Sequence, residues 1–275
     1  MSNNVKYVNI MIDEANIDYV CFGHGKKYLI IIPGVGDGLK SVRGLANYYA
    51  HKYKAFSKDY KVYIISRRRN IPTDFTIKDM ASDIYNLLLN LNIDNTSIIG
   101  ISQGGMIAQE LAITYPNLVS KLVLIVTAPK PTNTMENTLN TWLKMLAFKD
   151  YKGLLKDTAI KSFVGKSANK YIKVFELSNK IINKKNYLNY EVLLKACLKF
   201  NRLKDLKKIN APTLIIGAKL DQVLGYEGSL LLNKNIRDSK LILYDEYSHG
   251  LYDQIPDFNE QIKNFLVGES NEWKC

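Results

Sequence analysis

The chain has 275 residues, 47% of them hydrophobic, and its 38 Lys and Arg outnumber 26 Asp and Glu to give a formal net charge of +12. This composition excludes a disordered or low-complexity chain, and no apolar run reaches the roughly 20 residues that span a bilayer. No repeat of solenoid or propeller period is present, so the length fits one large domain carrying an insertion.

The N-terminal stretch is polar with scattered acids and lacks the basic start and apolar centre of a secretory signal. Residues 5–12 and 17–22 read as an antiparallel pair of short strands with a turn at 13–16. His24 follows in a Gly-His-Gly turn and reads as a surface residue. Residues 28–32, Tyr-Leu-Ile-Ile-Ile, are a continuous apolar run of the kind expected for a strand buried on both faces. The run opens into Pro33-Gly34-Val35-Gly36-Asp37-Gly38, either a flexible turn or a loop whose freed amides can face a negative charge. A helix is predicted over 41–55, with Val42, Leu45, Ala46 and Tyr49 on one side and His51 on a polar turn near its end. A strand over 61–66 leads into Arg67, Arg68 and Arg69, which read as a solvated loop because adjacent side chains point in different directions. Residues 76–91 carry a helical stripe of Met80, Ile84, Leu87, Leu88 and Leu91, with Thr76 or Asp74 as the cap.

The stretch 96–112, TSIIGISQGGMIAQELA, runs from a buried strand through Ser102 into an amphipathic helix. Ser102 sits between Gly100 and Gly104, where a side chain would clash in so tight a turn, and Gly105 lets the helix approach its neighbours. A Gly-x-Ser-x-Gly match alone is common. Here the strand, turn and helix that would hold the serine hydroxyl up at the sheet edge are all present, with the Gln103 backbone amide beside it at the helix start. Tyr115-Pro116 stops the helix, and 121–127 is the next buried strand. Strands alternating with helices require right-handed crossovers and a parallel sheet, which places function at the strands' carboxyl ends.

At 129 the composition changes. Residues 130–208 hold 18 of the Lys and Arg but 6 of the Asp and Glu, in a helical pattern interleaved with aromatics such as Trp142, Phe163, Tyr171, Phe175 and Tyr190. These lysines are scattered rather than aligned with a nucleic-acid motif, so they read as a solvated surface. Residues 211–217 resume the buried-strand pattern and lead to Asp221. A last strand over 240–244 precedes His249, and a helix follows over 258–267. Taken alone, Asp221 could be a turn former and His249 a loop histidine; Asp238 and Asp245 are the other aspartates between the 211–217 strand and His249.

On the Gly100-Ile101-Ser102-Gln103-Gly104 corner and the chain order Ser102, Asp221, His249, the sequence resembles the α/β-hydrolase family, in its serine hydrolase branch. The resemblance implies an α/β fold: a mostly parallel sheet flanked by helices, a core of residues 1–128 and 209–275, and a helical cap of 129–208 over the serine. It also implies Ser102 as nucleophile, His249 as base, Asp221 as acid, and the Val35 and Gln103 backbone N–H groups as oxyanion donors. The family usually carries His-Gly where this chain has Pro33-Gly34. A serine at the corner sets the chain apart from the dehalogenase and epoxide hydrolase branches, which place aspartate there. The proline iminopeptidase branch is set apart by its His-Gly-Gly-Pro-Gly loop and its tryptophan after the nucleophile, both absent here.

The activity so implied is hydrolysis of a small-molecule carboxylic ester or thioester with an apolar acyl group, through an acyl-enzyme and with no metal or organic cofactor. Two other readings stay open. One is a triad-dependent lyase or carbon–carbon hydrolase on an anionic metabolite, which a basic cap would suit; the other is a non-catalytic, ligand-sensing member of the fold. Cys21, Cys197 and Cys275 are odd in number and far apart, suggesting neither a disulfide framework nor a metal site, and a cytoplasmic location without nucleic-acid partners is expected.

Overall fold

In a computed structural model, which describes residues 4–179 and 182–268, eight strands of the described chain form a single sheet. A hairpin of β1 (Lys6–Ile12) and β2 (Ala15–Phe22) opens the chain. Next come β3 (Lys27–Ile32), α1 (Ala46–Lys52), β4 (Tyr60–Arg68) and α2 (Ile77–Asn90). They are followed by β5 (Thr96–Ile101), α3 (Gln103–Thr114) and β6 (Val119–Ile125). Four helices among the described residues stand between β6 and the next strand: α4 (Asn133–Ala147), α5 (Tyr151–Ser162), α6 (Lys166–Asn179) and α7 (Lys184–Lys199). The chain then forms β7 (Thr213–Ala218), α8 (Glu227–Asn235), β8 (Ser239–Tyr244) and α9 (Phe258–Val267).

The strand order is β1-β2-β4-β3-β5-β6-β7-β8, with β1/β2 and β2/β4 antiparallel and every later pairing parallel. The carboxyl ends of β3, β5, β7 and β8 therefore share one edge, where a parallel sheet gathers its functional loops.

Alternation along the central strands divides the core in two. Ile30, Ile32, Ile98, Leu122, Leu124 and Ile215 face the side packed by α2, α3 and the inserted helices. Leu29, Ile31, Ile99, Val123, Ile125, Leu214 and Ile216 face the side covered by α1 and α9. Both sets are buried, which is why these strands read as unbroken apolar runs.

Local chemistry accounts for the helix ends. Thr76 caps α2 in a reciprocal box: its hydroxyl accepts from Asp79 N at 3.2 Å, and the Asp79 carboxylate accepts from Thr76 N at 2.9 Å. The predicted helix over 41–55 is shorter, because Gly44 adopts φ +74° and lets α1 begin only at Ala46. The three arginines after the predicted strand also differ from expectation. Strand β4 runs on through Arg68; Arg67 is buried, Arg68 pairs with Asp83, and Arg69 pairs with Asp18. Each finds its own acceptor in the fold, so no solvated loop forms there. Cys21 and Cys197 are buried free thiols, and Cys275 lies outside the described residues. No helix among the described residues is long and apolar enough to cross a membrane.

Candidate active site

Ser102 stands at the sharp corner between β5 and α3, with φ 54° and ψ −119°, a backbone conformation unfavourable for any residue with a side chain. Surrounding contacts hold it there. Its N–H donates to Ile125 O at 2.9 Å, and its carbonyl accepts from the Thr127 hydroxyl at 2.8 Å and from Gly105 N at 2.9 Å. The flanking glycines are required by space: a Cβ on Gly104 would lie 2.0 Å from Ile32 O, and one on Gly100 would lie 2.5 Å from Gly104 O.

The other two candidates come to the same corner. His249 Nε2 is 2.9 Å from Ser102 Oγ, and His249 Nδ1 is 2.8 Å from Asp221 Oδ2. Asp221 follows β7, and its Oδ1 accepts from Val223 N at 2.8 Å and Leu224 N at 2.9 Å, leaving Oδ2 for the imidazole. With Nδ1–H donating to a carboxylate, Nε2 is left unprotonated and can accept from the serine hydroxyl. The histidine loop is tied to the end of α5: the Ser248 hydroxyl donates to Lys161 O at 2.5 Å, and Gly250 N donates to Ser162 O at 2.6 Å. By contrast, Asp245 is exposed and pairs with Lys219 at 2.7 Å, while His24 and His51 are exposed elsewhere.

Val35 and Gln103 are each the first residue of a helical turn, where the amide N–H has no intrahelical acceptor. Both line the cavity that Ser102 and His249 also reach. This cavity has a volume of about 280 Å³, and its far walls come from the inserted helices: Leu139, Trp142, Leu155, Phe163, Tyr171, Phe175, Tyr190 and Leu194. Phe163 stacks on Tyr171 with ring centroids 3.6 Å apart. Lys40 is the only Lys or Arg among the described lining residues, so the basic character of segment 130–208 does not extend into the cavity. Cys197 also lines it, but burial pushes this thiol up to about 12, so it stays protonated and does not compete as a nucleophile at neutral pH.

Comparison with known proteins identifies the family. A family model described as alpha/beta hydrolase fold matches residues 27–255. The chain belongs to the α/β-hydrolase family. Over 89% of its length this α/β-hydrolase is 22% identical to a putative carbamate hydrolase RutD of Rhizobium rhizogenes, covering 94% of that protein. It is 24% identical to a 2-hydroxy-6-oxononadienedioate/2-hydroxy-6-oxononatrienedioate hydrolase of Pseudomonas putida, over 92% of this chain and 93% of that one. Among solved structures, an alpha/beta hydrolase enzyme from a Medee basin deep-sea metagenome library superposes with a TM-score of 0.82 at 18% identity, covering 95% of this chain and 98% of that one.

The site of this α/β-hydrolase also contains groups that sequence reasoning missed. Asp37, hidden in the glycine loop, is buried and accepts from the Ser66 hydroxyl at 2.7 Å and from Arg67 N at 2.8 Å. The Arg67 guanidinium reaches the Gln103 side chain and Pro33 O. One signal could have found Arg67: continuing the alternation of β4 places position 67 on the same face as Tyr63 and Ile65, toward α3.

Proposed function

We propose that the protein is a serine hydrolase cleaving small-molecule carboxylic esters or thioesters through an acyl-enzyme on Ser102. The observation that carries this reading is the unbroken chain from Ser102 Oγ to His249 Nε2 (2.9 Å) and from His249 Nδ1 to Asp221 Oδ2 (2.8 Å) at the floor of an apolar cavity. As Oγ attacks the carbonyl carbon, His249 Nε2 takes its proton, and Asp221 orients the imidazole and stabilises its charged form. The negative charge that develops on the carbonyl oxygen is met by the Val35 and Gln103 N–H groups. Collapse expels the alcohol or thiol, which receives the proton from His249. Water, deprotonated in turn by His249, then attacks the acyl carbon and releases the acid.

Residues 129–208 serve in this reading as a cap, supplying the apolar walls and excluding water, which strengthens the electrostatics beneath. The lining also bears on substrate charge. The Pseudomonas putida relative is named for hydrolysis of a dioate. Among the described residues Lys40 is the only lining Lys or Arg, and the one lining carboxylate, Asp253, is paired with Lys52, so a neutral ester with an apolar acyl group suits the cavity better than a dianion.

The test is a screen of p-nitrophenyl esters over acyl length and charge, with Ser102→Ala as the blank. Acetate and butyrate esters are expected to be cleaved, Ser102→Ala to lower turnover by at least about 10³-fold, and a serine-directed phosphonate to label Ser102. Equal turnover by wild type and Ser102→Ala would remove the reading.

A further inference from the structure

Arg67 is buried at the end of β4, and none of its guanidinium nitrogens forms an ion pair with a carboxylate among the described residues. Its guanidinium instead joins the loop after β3 to the start of α3. Nη2 donates to Pro33 O at 2.6 Å, and both Nε (3.2 Å) and Nη2 (3.0 Å) donate to Gln103 Oε1. Its backbone N–H, with the neighbouring Ser66 hydroxyl, holds the Asp37 carboxylate. The turn that presents Val35 N–H is thus gripped before its start, at Pro33, and within it, at Asp37. The same side chain grips Gln103, whose amide is the other candidate oxyanion donor. Gln103 is held from its far side too, because Nε2 donates to Leu193 O at 2.8 Å and Cys197 Sγ at 3.2 Å on α7.

We propose that Arg67 is a positioning residue that fixes the separation and aim of the Val35 and Gln103 amides. The proposal rests on the serine hydrolase reading above.

Energetics favour a positioning role over a purely stabilising one. Burial lowers the Arg67 pKa and raises that of Asp37, each against the opposing charge of the other, so both ions are held at a cost. Nη1 has no hydrogen-bond partner among the described residues, a further cost. An apolar residue of similar volume would fill the space without either cost. What such a residue cannot supply is a rigid planar fork that binds two acceptors, one in the loop after β3 and one at the start of α3, at fixed angles. That geometry matters because oxyanion donors act only when aimed at where charge develops, and a misplacement of about 1 Å can cost about 10²-fold.

The experiment compares wild type with Arg67→Lys, which keeps the charge but loses the fork, and with the double variant Arg67→Met/Asp37→Asn, which removes both buried charges together. Folding is checked by thermal melts. Kinetics use p-nitrophenyl butyrate, and binding uses two inhibitors carrying the same alkyl chain: a trifluoromethyl ketone, which adds Ser102 Oγ to give a tetrahedral oxyanion, and an unreactive ether. Folded variants are expected to lose about 10–100-fold in kcat and a matching factor in trifluoromethyl ketone affinity, with KM and ether affinity within about twofold of wild type. A merely structural role would not split the two inhibitors in this way. Overturning results are a folded variant that keeps wild-type kcat and ketone affinity, an equal loss for both inhibitors, or failure of both variants to fold. If wild type itself cleaved no ester and bound no ketone, the serine hydrolase reading would fail, an outcome distinct from variants losing what wild type has.

Discussion

At residue scale, the decisive feature is a serine in a backbone conformation that only glycine adopts freely, with φ 54° and ψ −119°. Such strain costs on the order of 1–3 kcal/mol and persists because surrounding contacts enforce it. Ser102→Gly is therefore expected to be more stable than Ser102→Ala by about 1–2 kcal/mol, the reverse of the usual order at helix starts and interiors; denaturant melts of the two variants measure this, and an Ala variant as stable as the Gly one would contradict it. This corner was legible in the sequence because its glycines are fixed by space rather than taste: Gly100 and Gly104 leave no room for a Cβ. Asp221 and His249 were legible only through their order relative to Ser102, since each is an ordinary loop residue until the strands bring it to the shared edge. Arg67 was legible only if the alternation of β4 is carried past Ser66, since three adjacent arginines otherwise look alike, and the fold shows that Arg67 is buried while Arg68 and Arg69 pair with Asp83 and Asp18.

At the scale of elements, the loops carrying the site are braced by their neighbours. Gly250 follows His249 directly, and a Cβ there would lie 2.2 Å from the Phe163 ring, itself stacked on Tyr171. Gly250→Ala is expected to lower kcat about tenfold by displacing the histidine loop, and Phe163→Ala in the same chain to restore part of it; absence of rescue in this double-mutant cycle would place the damage elsewhere. At the opposite edge, Asp18 joins β1, β2 and the end of β4, accepting from Tyr7 (2.7 Å), Asn9 (2.9 Å) and Arg69 (2.6 and 2.8 Å). Burial pushes the Asp18 pKa up, but the hydrogen bonds from Arg69, Tyr7 and Asn9 outweigh it and leave the carboxyl below its ordinary value. A depressed carboxylate stabilises the fold fully above its unfolded pKa, about 4, and loses that contribution as pH falls through the folded value. Asp18→Asn is thus expected to cost about 1–3 kcal/mol at pH 7, with a gap to wild type that narrows below about pH 4; a gap independent of pH in urea melts would contradict the assignment. Elements were the most readable level, through the buried runs of β3, β5 and β7. The exceptions were β4, which ran on through Arg68, and α1, which began late because nothing in the sequence around Gly44 marks it as the position that turns to φ +74°.

For the molecule as a whole, charge and chemistry are separated in space. Residues 130–208 carry the whole of the basic excess, yet no Lys or Arg from this segment lines the cavity among the described residues. Turnover of a neutral ester is therefore expected to change less than about twofold between low and high salt, because steering by surface charge acts on charged ligands; a steep fall in kcat/KM with salt would show that the basic surface takes part. The sheet's division of labour was foreseeable from alternating strands and helices, whereas the cavity was not: five aromatics of segment 130–208, Trp142, Phe163, Tyr171, Phe175 and Tyr190, line it, and helical spacing alone does not distinguish a wall residue from a packing one. Acyl transfer through Ser102 is read most directly from where the acyl group goes. Wild type turning over p-nitrophenyl butyrate, quenched in acid and mapped by mass spectrometry, is expected to carry the butyryl group on the peptide holding Ser102, and His249→Ala to carry none. An unmodified Ser102 in an enzyme that is visibly releasing nitrophenol, together with wild-type turnover by Ser102→Ala, would contradict it.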